Sequence, residues 1–432
     1  MGLPVPSLSQ TSATLCFLLT LLVPLAVAGL ALVNAGLGRS RSAAHVMLAS
    51  LCVFGVAATV YVAIGFSLQG AGGRPAHFVT IGGKTWNWIA AEPIFLRGLP
   101  LDLSAESLIA LLQVFSVGLA AVIPLSAGSD RWRLGASCAS SALLAGCTYP
   151  LFAHWVWGGG WLSQLGTNSG LGRGFVDGGG ASTIQAVGGL TALSVTWMLG
   201  PRRGKFSPAG IPAAIPGHSP VLALAGCFIA WVGWLALNSA GAILFAGIEL
   251  SSVVLIVLNT TLCATAAGLT AVVVTRVQFG RPDASLCANG WVAGLVASSA
   301  AAAFLKPAAA ILVGIVAGGL VLFAIGLLES RLAIDDPGGA VSVHAVAGIW
   351  GLLAGSLSSF GGPDEQWLAQ LAGIATLLGF VLPLAYGLNW LLDKVYRQRV
   401  DEEGEMQGMD LYELGAGAYP EFVVHSDEFT QR

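Results

Sequence analysis

Two polar side chains, Gln185 and His344, stand inside long apolar runs at matching points of a repeated stretch. From Asp177 the chain reads D-G-G-G-A-S-T-I-Q-A-V-G-G-L-T-A-L, and from Asp336 it reads D-P-G-G-A-V-S-V-H-A-V-A-G-I-W-G-L. The ungapped copies share the acid, two glycines, Ala181/Ala340, Ala186/Ala345, Val187/Val346, Gly189/Gly348 and Leu193/Leu352, so Gln185 answers His344. A neutral imidazole accepts at one nitrogen and donates at the other, so it can line a narrow polar path without adding charge. A primary amide also accepts and donates, but it does not titrate and cannot take up and release a proton near neutral pH. Polar groups about two turns inside an apolar helix, behind a Gly-rich entry, suit the repeat-built sites that lie near a bilayer midplane. The bland alternative for His344 is a hydrogen bond that bridges two helices. No nucleophile elbow, phosphate-binding loop or metal-ligand cluster accompanies the pair, so no enzyme, metal or cofactor is expected.

These side chains need a hydrophobic frame, and the composition supplies one. Of 432 residues, 55% are hydrophobic and 9% charged, and the mean hydropathy is +0.79. Soluble domains carry about 25% charged residues, so most of this chain belongs in lipid. Fifty-eight glycines fit closely packed membrane helices. The seven cysteines form no C-x-x-C pair and read as small hydrophobes, with no disulfide framework.

Apolar segments of spanning length lie at 12–36, 44–68, 105–127, 134–157, 182–200, 219–241, 250–275, 288–305, 307–328, 339–360 and 367–393. The first is read as a spanning helix because no Lys or Arg precedes Arg39, so the basic start of a signal peptide is missing. Eleven spans put the termini on opposite sides. Fourteen basic residues, among them Arg39, Arg131, Arg202, Lys205, Arg399 and Arg432, fall on the side of the C-terminus, against Arg74, Lys84, Arg97, Arg173 and Lys306 on the other. This places the N-terminus outside and the C-terminus in the cytoplasm. The copies then sit five spans apart, which makes a five-plus-five inverted repeat. Repeat one covers about 12–200, repeat two about 219–360, and helix eleven, about 367–393, completes a membrane domain of residues 1–397. Residues 69–104 read as loop cover ending in a helix start, D-L-S-A-E. The acidic segment 398–432 reads as a docking or regulatory tail.

The motifs W-V-G-W-L-A-L-N-S-A-G at 231–241, H-W-V-W-G-G-G-W-L at 154–162 and D-D-P-G-G-A-V-S-V-H-A-V-A-G-I-W-G at 335–351 resemble the ammonium transporter (Amt/Mep/Rh) family. The resemblance runs over nearly the whole chain, with G-L-A-L-V-N-A-G at 29–36, I-G-F-S-L at 64–68, the Asp130-Arg131 step and the tail G-A-Y-P. It implies an all-α polytopic membrane protein of the ammonium transporter fold, a homotrimer in the lipid bilayer with one pore per subunit, and ammonium or ammonia as substrate. The motifs look closest to the bacterial Amt branch, which implies a bacterial inner membrane and a PII-type signalling protein as partner at the tail. No nucleic acid is implied.

Carried over residue by residue, the resemblance makes His344 the second of paired pore histidines, and Gln185 stands where the first is usual. Gln185 is either a tolerated polar spacer or a change in proton-coupled transport. Trp157 matches the aromatic residue of the outer mouth, where a ring face attracts a cation by about 0.5–2 kcal/mol; an interfacial belt residue is the alternative. Asp177 matches an acid that orders backbone carbonyls below that mouth, and it can also cap the fifth span. The two stacked gate phenylalanines fall on Ser116 and Leu237, and the outer serine falls on Gly241. Phe115 adjoins the first gate position, where a shift of one residue would restore an aromatic plug. These departures leave two rival readings beside transport: an ammonium sensor with little flux, and a neutral-gas channel of the Rh type.

Overall fold

Long apolar runs can satisfy their backbone in lipid only as helices or closed barrels, and here they are helices. The computed structural model describes residues 7–72, 76–357 and 365–419. Arg74, the end of the tenth predicted span and the last thirteen residues of the predicted tail, with Arg432, lie outside the described residues. In chain order the long helical segments are α1 (Gln10–Leu37), α2 (Ser40–Gln69), α3 (Ala105–Gly128), α4 (Leu134–Val156), α5 (181–199), α6 (Pro220–Ala246), α7 (Leu250–Phe279), α8 (Ala284–Ser298), α9 (Pro307–Leu332), α10 (Val341–Ser356) and α11 (Gln366–Val395). All except α5, α8 and α10 are long and apolar enough to cross a membrane. With those three shorter segments the set is consistent with the eleven predicted spans. Two short helices, α12 (Glu402–Gln407) and α13 (Met409–Leu414), carry the tail.

Local sequence explains where the helices start. Ser9, Ser104 and Asp283 accept backbone N–H bonds at the heads of α1, α3 and α8, and Ser104 is the serine of the D-L-S-A-E start. Residues 69–104, expected as loop cover, hold an antiparallel hairpin of β1 (Ala76–Ile81) and β2 (Lys84–Ala90). Its turn is Gly82-Gly83, both at positive φ, and its strands are rich in β-branched and aromatic residues. Trp155 of α4 donates to the Trp88 carbonyl at 2.8 Å, and Asn87 donates to the Gly159 carbonyl at 3.2 Å, so the hairpin is fastened over that end of the bundle.

Backbone-to-backbone contact at glycine builds the centre. A Cβ on Gly29 of α1 would lie 2.2 Å from the Ala230 nitrogen of α6, and one on Gly233 would lie 2.1 Å from the Ala26 nitrogen. The same closeness recurs between α5 and α10: a Cβ on Gly189 would meet the Ala345 nitrogen at 2.3 Å, and one on Gly348 the Ala181 carbonyl at 2.5 Å. In both crossings the partner number falls as the residue number rises. The paired helices therefore run antiparallel, as an inverted repeat requires, and Gly189 and Gly348 are themselves equivalent positions of that repeat.

At the opposite end from the hairpin, the predicted inward-side loops meet in a buried charge cluster. Arg202 donates to both carboxylate oxygens of Asp335, from Nε at 2.9 Å and Nη2 at 3.0 Å, and to Asp130 at 3.1 Å. Arg131, fully buried, donates to the Gly200 and Asp335 carbonyls at 2.8 and 2.9 Å. The tail closes over this cluster. Arg399 donates to the Leu199 and Pro201 carbonyls and to Glu405, Glu405 accepts from the Arg203 backbone at 2.7 Å, and Asp410 accepts from the backbone of Ala44 and His45 at the head of α2. Burial by itself would raise the Asp335 carboxyl, but the hydrogen bonds from Arg202 and the charges of Arg131 and Arg202 outweigh it and hold the group below its usual range.

Two stability predictions follow from these contacts. Adding one methyl in Gly189→Ala forces the α5–α10 crossing apart and costs about 1–3 kcal/mol; its thermal midpoint in detergent falls, whereas Gly319→Ala, which meets nothing within 4 Å, leaves it unchanged. A depressed carboxyl stabilises the fold fully above the ordinary carboxylate range and loses that contribution as pH falls through its folded value. Asp335→Asn therefore lowers the midpoint at neutral pH, by roughly 3–5 kcal/mol of stability, and flattens its acid dependence. Superimposable melting curves for native and Asp335→Asn protein between neutral and acid pH would contradict this.

Candidate functional site

Each copy of the repeat enters its helix through a wide, π-type turn, at residues 181–186 in α5 and 341–346 in α10. In the first, the Gln185 N–H reaches back five residues to the Gly180 carbonyl at 2.9 Å. Such turns are rare and recur at functional sites, because they shift the side chains that follow off the regular helical stripe. The acids at the head of each copy hold these turns in the same way. Asp177 accepts from the backbone N–H of Ala181 and Ser182, and Asp336 accepts from Ala340 and Val341, the same two offsets.

The two polar residues singled out by the repeat meet. His344 Nδ1 lies 2.8 Å from Gln185 Oε1, and both side chains are buried. An amide oxygen only accepts, so Nδ1 carries the proton and Nε2 of the neutral ring keeps its lone pair. Gln185 Nε2 is buried and has no hydrogen-bond partner among the described residues. The pair thus offers the two N–H donors of a free amide nitrogen and one free acceptor side by side, without a formal charge. A small molecule that both accepts and donates hydrogen bonds fits this pairing.

On the tail side, His344 lines a small cavity with Leu30, Val33, Asn34, Ser126 and Asn289. Asn289 also lines a larger polar cavity of about 360 Å³ that includes Arg202, Lys205, Asp335, Asp336 and Ser342. Asn34, Ser126 and Asn289 complete a polar lining that motif reading did not single out, although each is a polar residue within an apolar run. On the hairpin side, Trp157 ends α4, and its Nε1 donates to the Asp177 carbonyl at 2.7 Å. The Asp177 carboxylate is itself saturated by the backbone of Gly180, Ala181, Ser182 and Thr183 and by the hydroxyls of Ser182 and Thr183. It holds the loop and the turn, and it has no lone pair left to face a ligand directly. Its carboxylate takes up the first N–H groups at the head of α5.

The remaining candidates are dispersed. Ser116 is buried and bonds the Leu112 carbonyl of its own helix, and Leu237 is packed in the core. Phe115 stacks on Phe54 of α2 with ring centroids 6.4 Å apart, so its ring is committed to the α2–α3 contact and not to the Trp157 group. Gly241 touches the hairpin-side loop through its backbone: a Cβ there would lie 2.5 Å from the Gly178 carbonyl. No serine side chain fits at 241 unless that loop moves. The sequence reading also missed Phe245, which lies one helical turn beyond Gly241 and stacks on Trp157 with centroids 4.2 Å apart and planes 9° from parallel.

The likeness to known proteins agrees with this architecture. A model described as Ammonium Transporter Family matches residues 14–419. Ammonium transporter Amt2 of Archaeoglobus fulgidus is 34% identical over 420 residues, covering 93% of this chain and 86% of the relative. The ammonium transporter of Bacillus subtilis is 28% identical, covering 93% and 97%. Among solved structures, one described as a sensor Amt protein has a TM-score of 0.83 at 27% identity, over 93% of this chain and 97% of its own. Mep2 of Candida albicans has a TM-score of 0.76 at 25% identity, over 95% and 90%.

Proposed function

The chain belongs to the ammonium transporter family, and from that premise we propose that ammonium passes through a pore within each subunit, crossing its centre as neutral ammonia alongside the bonded Gln185–His344 pair. It is a multi-pass membrane protein, not an enzyme. The observation that carries the reading is the buried Gln185–His344 hydrogen bond. An ammonium ion at the bilayer centre costs several kcal/mol or more, whereas ammonia can accept from the free Gln185 N–H and donate to the His344 lone pair. The ion is taken up at Trp157 and gives its proton to water on the outer side before it reaches the pair; the neutral molecule continues past Asn34, Ser126 and Asn289 into the polar cavity lined by Asp336 and Ser342, where it takes a proton back from water. Ser116 and Leu237 place no aromatic ring across this route.

Further features belong to the same proposal. The chain assembles as a homotrimer in a bacterial inner membrane, with the N-terminus outside and the charge cluster in the cytoplasm. Residues 1–397 form the pore-bearing domain and 398–432 a regulatory tail, whose described part, 398–419, offers a PII-type signalling protein a surface next to the loops of α2 and α5. A pull-down with that partner checks the tail: full-length protein is retained, and a chain ending at Arg399 is not.

Gln185 sets the proton chemistry. A pair of histidines can be charged in turn, at an unperturbed pKa of about 6.5, and so relay a proton; the amide interrupts that relay while keeping its hydrogen bonds. Ammonia therefore moves with weak or no accompanying charge. Gln185→His raises the ammonium-driven current on supported membranes more than it raises uptake followed by a pH dye in liposomes. A robust native current that the substitution leaves unaltered would contradict this, and absence of flux in either assay would favour a receptor.

A further inference from the structure

Phe245 is absorbed neither by the pore nor by the expected outer site, yet it covers the one ring assigned to cation capture. Trp157 is half-buried and ends α4. Two contacts hold its indole: Nε1 donates to the Asp177 carbonyl at 2.7 Å, and one face lies against Phe245 at 4.2 Å between centroids and 9° from parallel. That spacing is ring-on-ring contact, so no ion fits between the rings. Only the opposite face of the indole is left for a cation.

The origin of the stack lies one turn earlier on α6. Gly241 and Phe245 are four residues apart and share a helix face. The missing side chain at Gly241 lets α6 approach the Gly178 carbonyl so closely that a Cβ would be 2.5 Å away. The approach fixes α6 against the loop that also carries the Asp177 carbonyl, and Phe245 arrives over the indole as a consequence. Loop, hydrogen bond and stack form one rigid unit.

We infer that Phe245 is a positioning residue for the outer site: by clamping Trp157 from behind, it presents the indole's other face as a preformed platform for a small monovalent cation of the ammonium class. Attraction of a cation to a ring face depends on holding it within about 6 Å of the ring centroid, and a ring already immobilised loses no rotamer freedom when the ion arrives. With glycine at 241 there is no hydroxyl to bond the ion's N–H groups. The clamped ring face therefore carries recognition, and ammonium and methylammonium are held alike.

This inference rests on the transport reading above, and the test separates the two. Concentration dependence of ammonium and of radiolabelled methylammonium uptake is measured in proteoliposomes for native protein, Phe245→Leu, Phe245→Tyr, Trp157→Leu and the double variant. Each preparation is first checked to be monodisperse in detergent. Phe245→Leu raises the half-saturating concentration of both cations about fivefold with the maximal rate retained, and Phe245→Tyr, which preserves the stack, stays near native. Trp157→Leu has an effect at least as large, and the double variant is no worse than Trp157→Leu alone. A native half-saturation in Phe245→Leu beside an impaired Trp157→Leu would reduce Phe245 to packing and leave the outer site standing. A loss of maximal rate that Phe245→Tyr does not restore would also overturn the clamp. No effect of any variant would remove both Phe245 and Trp157 from cation capture, while transport itself would remain.

Discussion

The antiparallel crossing of α5 and α10 is the constraint on which the centre of this protein depends. Gly189 and Gly348 let the two backbones touch at Ala345 and Ala181, and only at that separation can side chains about one turn away share a hydrogen bond of 2.8 Å. A polar group alone in lipid costs free energy, and two that satisfy each other cost much less. The repeat thus solves a packing problem and a polarity problem with the same residues. Glycine closes the helices, and Gln185 and His344 occupy the seam that results.

The wide turns that carry the seam need their own support, because the first N–H groups of a helix have no partner within it. Asp177 and Asp336 take up these N–H groups in both halves. Their surroundings then diverge. Asp177 collects two hydroxyls as well and lends its carbonyl to Trp157. Asp336 borders the polar cavity of the tail side. One duplicated device therefore braces the Trp157 ring on the hairpin side and borders the polar cavity on the tail side, so the two halves of the inverted repeat end in different surroundings.

Rigidity at the tail side comes from charge. Asp130, Arg131, Arg202 and Asp335 belong to three different loops, and each is buried with its partners. Pulling these loops apart would leave charges without partners out of water, so the loops are held in register by the cost of separating them. Val400 and Arg399 add the tail to this register through the Arg131 carbonyl and the carbonyls of Leu199 and Pro201. Through Glu405 and Asp410, α12 and α13 are bonded to the C-terminal side of α5 and to the head of α2, and α5 carries Gln185.

Much of this was legible in the sequence, because lipid and repetition impose strong patterns. Apolar runs of spanning length must become helices, the basic residues sort the loops, and the ungapped repeat from Asp177 and Asp336 pairs Gln185 with His344 before any coordinates are considered. Local capping was equally readable at Ser104. What the sequence could not decide is how side chains meet across helices far apart in number. The offset of four between Gly241 and Phe245 is plain, but that Phe245 covers Trp157 depends on how close α6 comes to the Gly178 loop. Phe115 adjoins a gate position in the chain, yet the rotation of α3 turns its ring to Phe54. The hairpin at 76–90 is marked only locally, by Gly82-Gly83 between β-branched and aromatic residues, and its two short strands pair with each other outside the apolar periodicity that marks the spans. Periodicity and burial energy are properties of one segment and its solvent. Ring stacking, carboxylate saturation and loop register depend on distances between segments, and those are set only when the whole bundle closes.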